Sequence, residues 1–145
     1  MATVNENGID LIKSFEGCRL EAYQDQRGIW TIGYGATGAD VYEGLVWTQE
    51  QANERLADDL LVKAETPVNN LLKCELTDNQ FAAFCSLCYN IGTWNFAHSS
   101  ALSEANAGNL DDVPNHIALW DEVDGIPDKG LIRRRQAEIA LWETP

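Results

Sequence analysis

The 145-residue sequence is poor in basic residues. It has 10 Lys and Arg against 23 Asp and Glu, which gives a formal net charge of −13. A chain this acidic is repelled by polyphosphates and by anionic lipid surfaces. We therefore expect neither nucleic acid nor stable membrane association.

The sequence also lacks long apolar runs. No stretch reaches the roughly 18 consecutive apolar residues of a membrane-spanning helix. The first residues do not join a basic segment to an apolar one, as a secretory signal does. We expect synthesis in a cytoplasm without an anchor, so a substrate outside that compartment would require a separate release partner.

The four cysteines do not form a metal-ligand pattern. Cys85 and Cys88 make one CxxC inside a strongly apolar segment, and Cys18 and Cys74 do not supply a second pair. Disulfides are not expected without a secretory signal. We predict no metal and no cofactor. We expect Cys18 to be structural, with regulation through its thiol as the alternative.

Hydrophobic periodicity predicts an α+β fold that is predominantly helical. Helices are expected over residues 7–16, 48–73, 78–91, 96–107, 112–120 and 130–142. Pro67 predicts a break or kink near Thr66, followed by a helical continuation to Lys73. β-branched and aromatic residues separated by glycines indicate one small antiparallel sheet within residues 19–42, and residues 121–129 are predicted to be a loop.

Glu16, Asp25 and Thr31 lie on three neighbouring predicted elements. Eight residues separate Glu16 from Asp25, and five separate Asp25 from Thr31. Glycoside cleavage needs one carboxylic acid to protonate the leaving oxygen and a second carboxylate to activate water or attack carbon. Glu16, beside the apolar Phe15, suits the first role, and Asp25, in a polar turn, suits the second. On spacing alone, two ordinary surface acids are the alternative.

A resemblance to a known family gives these residues roles. The segments Phe15-Glu16-Gly17, Ala22-Tyr23, Asp25 and Trp30 to Gly35 are similar to the catalytic block of the phage-type lysozymes (endolysins) of glycoside hydrolase family 24. Further similar blocks follow in family order: Thr37 to Thr48, Tyr89 to Gly92 with Phe96 and Ser99-Ser100, Asn106 to Gly108, Trp120, and Gly130 to Glu138. The resemblance covers nearly the whole chain.

The resemblance implies a lysozyme-like fold in a single domain over residues 1–145. Its parts would be a small β lobe (residues 17–47), a connecting helix (48–65) and a larger helical lobe (1–16 and 66–145). The substrate cleft would lie between the lobes.

The resemblance also implies an activity. The substrate would be peptidoglycan, cut at the β-1,4 bond between N-acetylmuramic acid and N-acetylglucosamine for host cell lysis. Glu16 would be the general acid, and Asp25 and Thr31 would hold the attacking water, as in an inverting hydrolase. Independently of the resemblance, the missing export signal leads us to expect release by a separate holin, and we expect a monomer.

Four further residues are candidates for substrate contacts. Asn90 and Gly92 follow the central helix and either contact sugar N-acetyl groups or cap that helix. One of Arg134 and Arg135 is expected to reach Glu16; the alternative is a solvated helix face. Core packing is expected, rather than sugar stacking, for the tryptophans Trp30, Trp94 and Trp120.

Three alternatives stay open at this point. A lytic transglycosylase would use the acid but no activated water. The spacing of Asp25 and Thr31 argues against this enzyme class. A peptidoglycan-binding module with a dead site would bind walls without cutting them. Retaining chemistry, with Asp25 attacking carbon directly, is distinguished from inverting chemistry by the separation of the two carboxyl groups.

Overall fold

The secondary structure is described for residues 1–145 by a computed structural model. The helices are α1 (Glu6–Glu16), α2 (Gln49–Leu60), α3 (Thr66–Leu71), α4 (Asp78–Ile91), α5 (Thr93–Ala97), α6 (Ser100–Asn106), α7 (Val113–Ile117) and α8 (Lys129–Trp142). The strands are β1 (Arg19–Gln24), β2 (Trp30–Gly33), β3 (Glu122–Val123) and β4 (Ile126–Pro127). The predicted α+β, predominantly helical fold is confirmed. None of the helices combines the length and apolarity needed to cross a bilayer.

Helix α4 is the centre of the larger core. Thr77 and Gln80 form a reciprocal capping box at its start, and its residues 81–88 are all buried. It packs against α1 and α8. Because α4 is buried over residues 81–88 and these are mostly apolar, other helices must surround it. The elements that carry the candidate site are therefore fixed against one rigid helix.

Helix α1 approaches α4 closely through Gly8. A Cβ at this position would lie 2.6 Å from Val4 Cγ1 and 2.7 Å from Ala82 Cβ. Only a residue without a side chain fits between these atoms. The close approach fixes the helix whose last residue is Glu16.

We expect Gly8→Ala to destabilise the protein. Overpacking costs about 1–3 kcal/mol, and the gain in helix propensity returns about 1 kcal/mol, so we expect the free energy of unfolding to fall by about 0–2 kcal/mol. Urea unfolding followed by circular dichroism measures this loss. The matched control is Glu54→Ala, at an exposed position of α2. Stabilisation of Gly8→Ala by about 1 kcal/mol, which is the gain from helix propensity alone, would contradict the close packing.

Strands β1 and β2 form an antiparallel hairpin. Arg19 pairs with Gly33, and Tyr23 pairs with Thr31. Four residue steps on β1 therefore oppose two steps on β2, so β1 bulges. Behind this hairpin lies a second, small hydrophobic cluster formed by Ile32, Ala36 and Val41. The division at residues 17–47, 48–65 and 66–145 stays a prediction.

Of the predicted break or kink near Thr66, a break is wrong, because the chain stays helical from Gln49 to Leu71, in agreement with the predicted helical continuation. A π-helical turn over Leu61–Glu65 precedes Pro67, and Thr66 N–H donates to the Leu61 carbonyl. Pro67 has no N–H to offer the Lys63 carbonyl. That carbonyl instead accepts a hydrogen bond from Cys88 Sγ at 3.4 Å. A side chain of α4 thus replaces the backbone donor that proline lacks.

The single helix predicted over residues 96–107 is also wrong, because it is divided into α5 and α6. Ser99 separates the two helices. Its hydroxyl donates to the Phe96 carbonyl at 2.7 Å and accepts from Leu102 N–H at 3.2 Å. A serine at an N-cap competes in this way with continuous helix.

The loop predicted over residues 121–129 contains a short hairpin, β3 and β4. Asp124 and Gly125 form its turn, both with positive φ (52° and 77°). An Asp-Gly pair between apolar residues is typical of a two-residue hairpin turn.

Two of the four thiols are buried as expected, namely Cys85 and Cys88. Burial raises the pKa of Cys88 to about 11, so this thiol is inert at neutral pH. Cys18 is exposed and therefore does not have the structural packing role expected for it.

Candidate active site

Glu16 lies where the β hairpin meets the helices. It is the last residue of α1, and its side chain is 22% exposed. Oε1 faces Gly35, in the loop after β2, where a Cβ would lie 3.6 Å away. Oε2 accepts a hydrogen bond from Arg134 Nη1, on α8. The carboxylate is thus held between the hairpin region and the helical core.

Arg134 is the arginine that reaches Glu16. Its side chain is only 5% exposed. Besides Glu16, Arg134 contacts the Ser86 carbonyl at 3.3 Å, and its guanidinium lies 5.8 Å from the centre of the Phe15 ring. The contact with Glu16 neutralises both charges in a half-buried place and fixes the orientation of the carboxylate.

Arg135 does not contact Glu16. Its Nη2 donates to Asn90 Oδ1 at 2.8 Å, and its Nη1 donates to the Trp120 carbonyl at 3.2 Å. Burial lowers the pKa of Arg135. Arg135 therefore ties α8 to the end of α4 and to the segment after α7.

Glu138 lies beside Arg134, behind the candidate site, and the sequence analysis did not identify it as a site residue. It is fully buried, and its Oε2 accepts from the Ser86 hydroxyl at 2.5 Å. Arg135 Nε lies 2.7 Å from its Oε1, and Arg134 Nε lies 3.4 Å from its Oε2. Burial raises the pKa of Glu138, whereas the two guanidiniums and the serine act in the opposite direction. The spacing of Arg134, Arg135 and Glu138, at i+3 and i+4, could have indicated this cluster.

Asp25 and Thr31 are joined through the backbone of one residue, Ile29, whose N–H and carbonyl belong to consecutive peptide units. Asp25 Oδ1 accepts from the N–H groups of Arg27 (2.8 Å) and Ile29 (2.9 Å). Thr31 is buried, and its hydroxyl donates to the Ile29 carbonyl at 2.9 Å. Asp25 Oδ2 makes no hydrogen bond within the protein. The hairpin turn thus fixes one carboxylate oxygen and leaves the other unpaired.

The bulge in β1 shortens the span of this strand beside β2. Along β2, Thr31 lies two residues from Gly33, which is a distance of about 7 Å. Because Arg19 pairs with Gly33 and Tyr23 with Thr31, four residue steps of β1 cover this same distance. The extra length of β1 is therefore taken up in the bulge.

A groove of about 620 Å³ opens beside Glu16. It is lined by Ser14, Phe15, Glu16, Asn90, Asp128, Gly130, Leu131, Arg133 and Arg134. Of the predicted substrate contacts, Asn90 and Arg134 line it. Gly92 instead caps α4 with φ 91°, and its N–H donates to the Cys88 carbonyl at 2.9 Å. Asp25, Thr31 and Arg135 are not part of this lining.

The tryptophans divide between core and surface. Trp30 and Trp120 are half-buried against the two hydrophobic clusters, as expected. Trp94 is 71% exposed, so the prediction of core packing is wrong for this residue. Its ring stacks on His98 with 4.1 Å between centroids.

Metal-ligand side chains converge away from this site, at Glu104, Asp112 and His116. Both His116 nitrogens have hydrogen-bond partners, with Nε2 2.9 Å from Asp112 Oδ2 and Nδ1 2.7 Å from the Ser100 hydroxyl. Hydrogen bonds from Asn115 and His116 lower the pKa of Asp112. The cluster is satisfied by its own hydrogen bonds.

Comparison with known proteins agrees with this geometry. The family described as phage lysozyme matches residues 13–138. The chain belongs to the phage lysozyme family. The match begins three residues before Glu16 and ends at Glu138, so it includes the whole ionic network around the groove. Membership confirms the predicted enzyme class, a muramidase among the glycoside hydrolases.

Relatives of this phage lysozyme match it over its full length. It is 42% identical over 145 residues to the endolysin of Acyrthosiphon pisum secondary endosymbiont phage 1, covering 97% of this chain and 98% of the relative. A solved muramidase domain of SpmX from Asticaccaulis excentricus is 40% identical, with a TM-score of 0.91 and complete coverage of both chains. A solved variant of P22 lysozyme is 39% identical, with a TM-score of 0.90, covering 99% of this chain and 100% of the other. The lysozyme-like fold is therefore confirmed.

Proposed function

We propose that this phage lysozyme is an endolysin that hydrolyses the β-1,4 bond between N-acetylmuramic acid and N-acetylglucosamine in peptidoglycan. This reaction leads to lysis of the host cell. The observation that carries the proposal is the placement of Glu16. Its carboxylate borders the groove, faces Gly35 and is held by Arg134.

Glu16 acts as the general acid. The contact with Arg134 favours the ionised form, so this role requires burial of Glu16 to outweigh the contact or substrate binding to displace it. The protonated carboxyl then gives its proton to the glycosidic oxygen while the bond from that oxygen to the sugar C1 breaks. Arg134 orients the carboxylate toward the groove, and Asn90, on the same lining, is a candidate donor to a sugar N-acetyl group. Gly92 and Arg135 act indirectly, by capping α4 and by holding Asn90.

Asp25 and Thr31 hold the attacking water. The Thr31 hydroxyl donates its hydrogen to the Ile29 carbonyl, so toward a water it can only accept. Asp25 Oδ2 is likewise an acceptor. Two acceptors can take both hydrogens of one water and leave its own lone pair for C1. Asp25 then receives one proton as the new C1–O bond forms, which is the chemistry of an inverting hydrolase.

Analysis of the products tests this proposal against its alternatives. Purified protein should clear a suspension of cell walls and create new reducing ends at N-acetylmuramic acid. Anhydro-muramic ends would instead identify a lytic transglycosylase. Binding to walls without clearing would identify a dead peptidoglycan-binding module.

Trp94 is a candidate to extend the substrate surface beyond the groove. It follows Asn90 by four residues, at most about 14 Å of chain. His98 stacks on its ring, and His98 Nδ1–H donates to the Trp94 carbonyl at 2.8 Å, so the exposed ring has a fixed neighbour. An immobile aromatic ring suits stacking on the apolar face of a sugar.

We expect Trp94→Ala to weaken the affinity for soluble peptidoglycan fragments by about 3- to 10-fold. Because Trp94 lies outside the groove lining, kcat should not change. Binding titrations and kinetics on these fragments measure both quantities. Leu119→Ala, at another exposed apolar position, is the control. Unchanged affinity would contradict the stacking role.

Release by a separate holin, synthesis in the host cytoplasm and a monomeric state stay predictions of the sequence. Expression of this chain alone, without a pore former, should leave a culture intact until the membrane is opened artificially. Prompt lysis of such a culture would contradict separate release. Light scattering of the purified protein measures the oligomeric state.

A further inference from the structure

The side chain of Glu138 is buried among charges rather than among apolar groups. Two arginines and two glutamates form a cluster whose charges sum to zero: Arg134, Arg135, Glu16 and Glu138. Only Glu16 borders the groove, together with part of Arg134. Glu138 lies one layer behind, with no exposed surface.

A buried carboxylate of this kind is not explained by stability. Desolvation of buried ion pairs often cancels their Coulomb gain, and apolar replacements of the whole group are frequently neutral or stabilising. The position on α8 faces α4, where a leucine or methionine would also fill space. The cluster therefore indicates a role in orienting neighbouring side chains.

Apart from Glu16 and Glu138, Arg134 has few fixed partners. Its Nη2 contacts with the Ser86 carbonyl and hydroxyl are long, 3.3 Å and 3.4 Å. The Ser86 hydroxyl is itself oriented by donation to Glu138 Oε2 at 2.5 Å. Removing the Glu138 charge would thus loosen the guanidinium directly and through Ser86.

We propose that Glu138 is a positioning residue, which holds Arg134 and thereby fixes the Glu16 carboxylate beside the groove. The proposal rests on the proposed function of Glu16. It assigns Glu138 no contact with substrate. Small displacements of a reacting group, near 1 Å, can cost about 100-fold in rate.

Glu138→Gln tests this role, because it keeps the shape of the side chain and removes its charge. We expect kcat on soluble peptidoglycan fragments to fall about 10- to 100-fold, with KM changed less than about threefold. We also expect the Glu16 carboxyl signal to shift in a ¹³C NMR spectrum of glutamate-labelled protein. Glu16→Gln assigns that signal by removing it.

Asn79→Ala is the control for a merely structural effect. Asn79 is a buried polar residue of α4 that joins Asn5 to the chain terminus, away from the groove. This variant should unfold more easily and yet leave kcat of the folded protein and the Glu16 signal unchanged. If Glu138→Gln behaves in the same way, the positioning role is wrong.

Ser86→Ala is the second variant, for use if Glu138→Gln does not fold. It removes the hydroxyl between Glu138 and Arg134, so we expect kcat to fall about 3- to 10-fold and the Glu16 signal to move. Native kcat and an unmoved signal would overturn the inference. Full activity of Glu16→Gln would instead overturn the proposed function, while the NMR result would still report whether Glu138 positions Glu16.

Discussion

Replacing Glu16 with glutamine is expected to slow wall clearing by about 100- to 10,000-fold, the usual contribution of a general acid. Glutamine keeps an oxygen for Arg134 to contact but has no acidic proton to give. The fold should be retained, because Arg134 keeps Glu138 as a partner. A carboxylate at a helix C-terminus is also unfavourable, so its loss removes a repulsion. Turbidity assays and thermal unfolding measure the two effects.

The control for this variant is Glu6→Gln, the same change at the opposite end of α1. Glu6 lies in the first helical turn, far from the groove, so clearing should continue at the native rate. Clearing by Glu16→Gln as fast as by the native protein would remove Glu16 from the mechanism.

Asp25→Asn is expected to lower activity by about 100-fold or more. The asparagine oxygen can still accept from the Arg27 and Ile29 N–H groups, so the turn should keep its shape. The amide nitrogen, however, would take the place of Oδ2. A donor there cannot accept a hydrogen of the attacking water. Clearing assays, with circular dichroism to check the fold, measure this effect.

Asp58→Asn, at an exposed position of α2, is the matched control and should be fully active. Native activity of Asp25→Asn would contradict the water-holding role. A glycosyl group covalently attached to Asp25, found by mass spectrometry of the reacting native enzyme, would contradict it too, because Asp25 would then be the nucleophile.

The sequence was a good guide to elements with local signals. The capping boxes at Thr48 and Thr77 begin helices where predicted. The run of β-branched and aromatic residues after Gly28 forms β2. These features depend on neighbours in the chain, which a sequence displays directly.

Features that depend on partners far along the chain were missed. Pro67 does not break its helix, because a π-helical turn precedes it and Cys88 supplies a donor to the Lys63 carbonyl. Helix α8 was predicted from its apolar residues, yet its buried residues include Arg134 and Glu138. Their burial is possible only because Glu16 and Ser86 lie opposite them. No local pattern contains that information.

The candidate site, like the fold, was predictable from the sequence only in part. Resemblance supplied Glu16, Asp25 and Thr31. In the structure, Glu16 borders a groove, and Asp25 and Thr31 both hydrogen-bond to the backbone of Ile29. Which arginine reaches Glu16 required the direction of each side chain on α8. Adjacent residues on a helix point about 100° apart, so Arg134 and Arg135 face different partners.

The anomeric form of the first product tests the central claim most directly. Proton NMR during the first minutes of digestion, before mutarotation, identifies the configuration at the new reducing end. A water held by Asp25 and Thr31 and attacking opposite the bond protonated by Glu16 predicts the α anomer. The β anomer, or an anhydro-muramic product without a reducing end, would contradict the account.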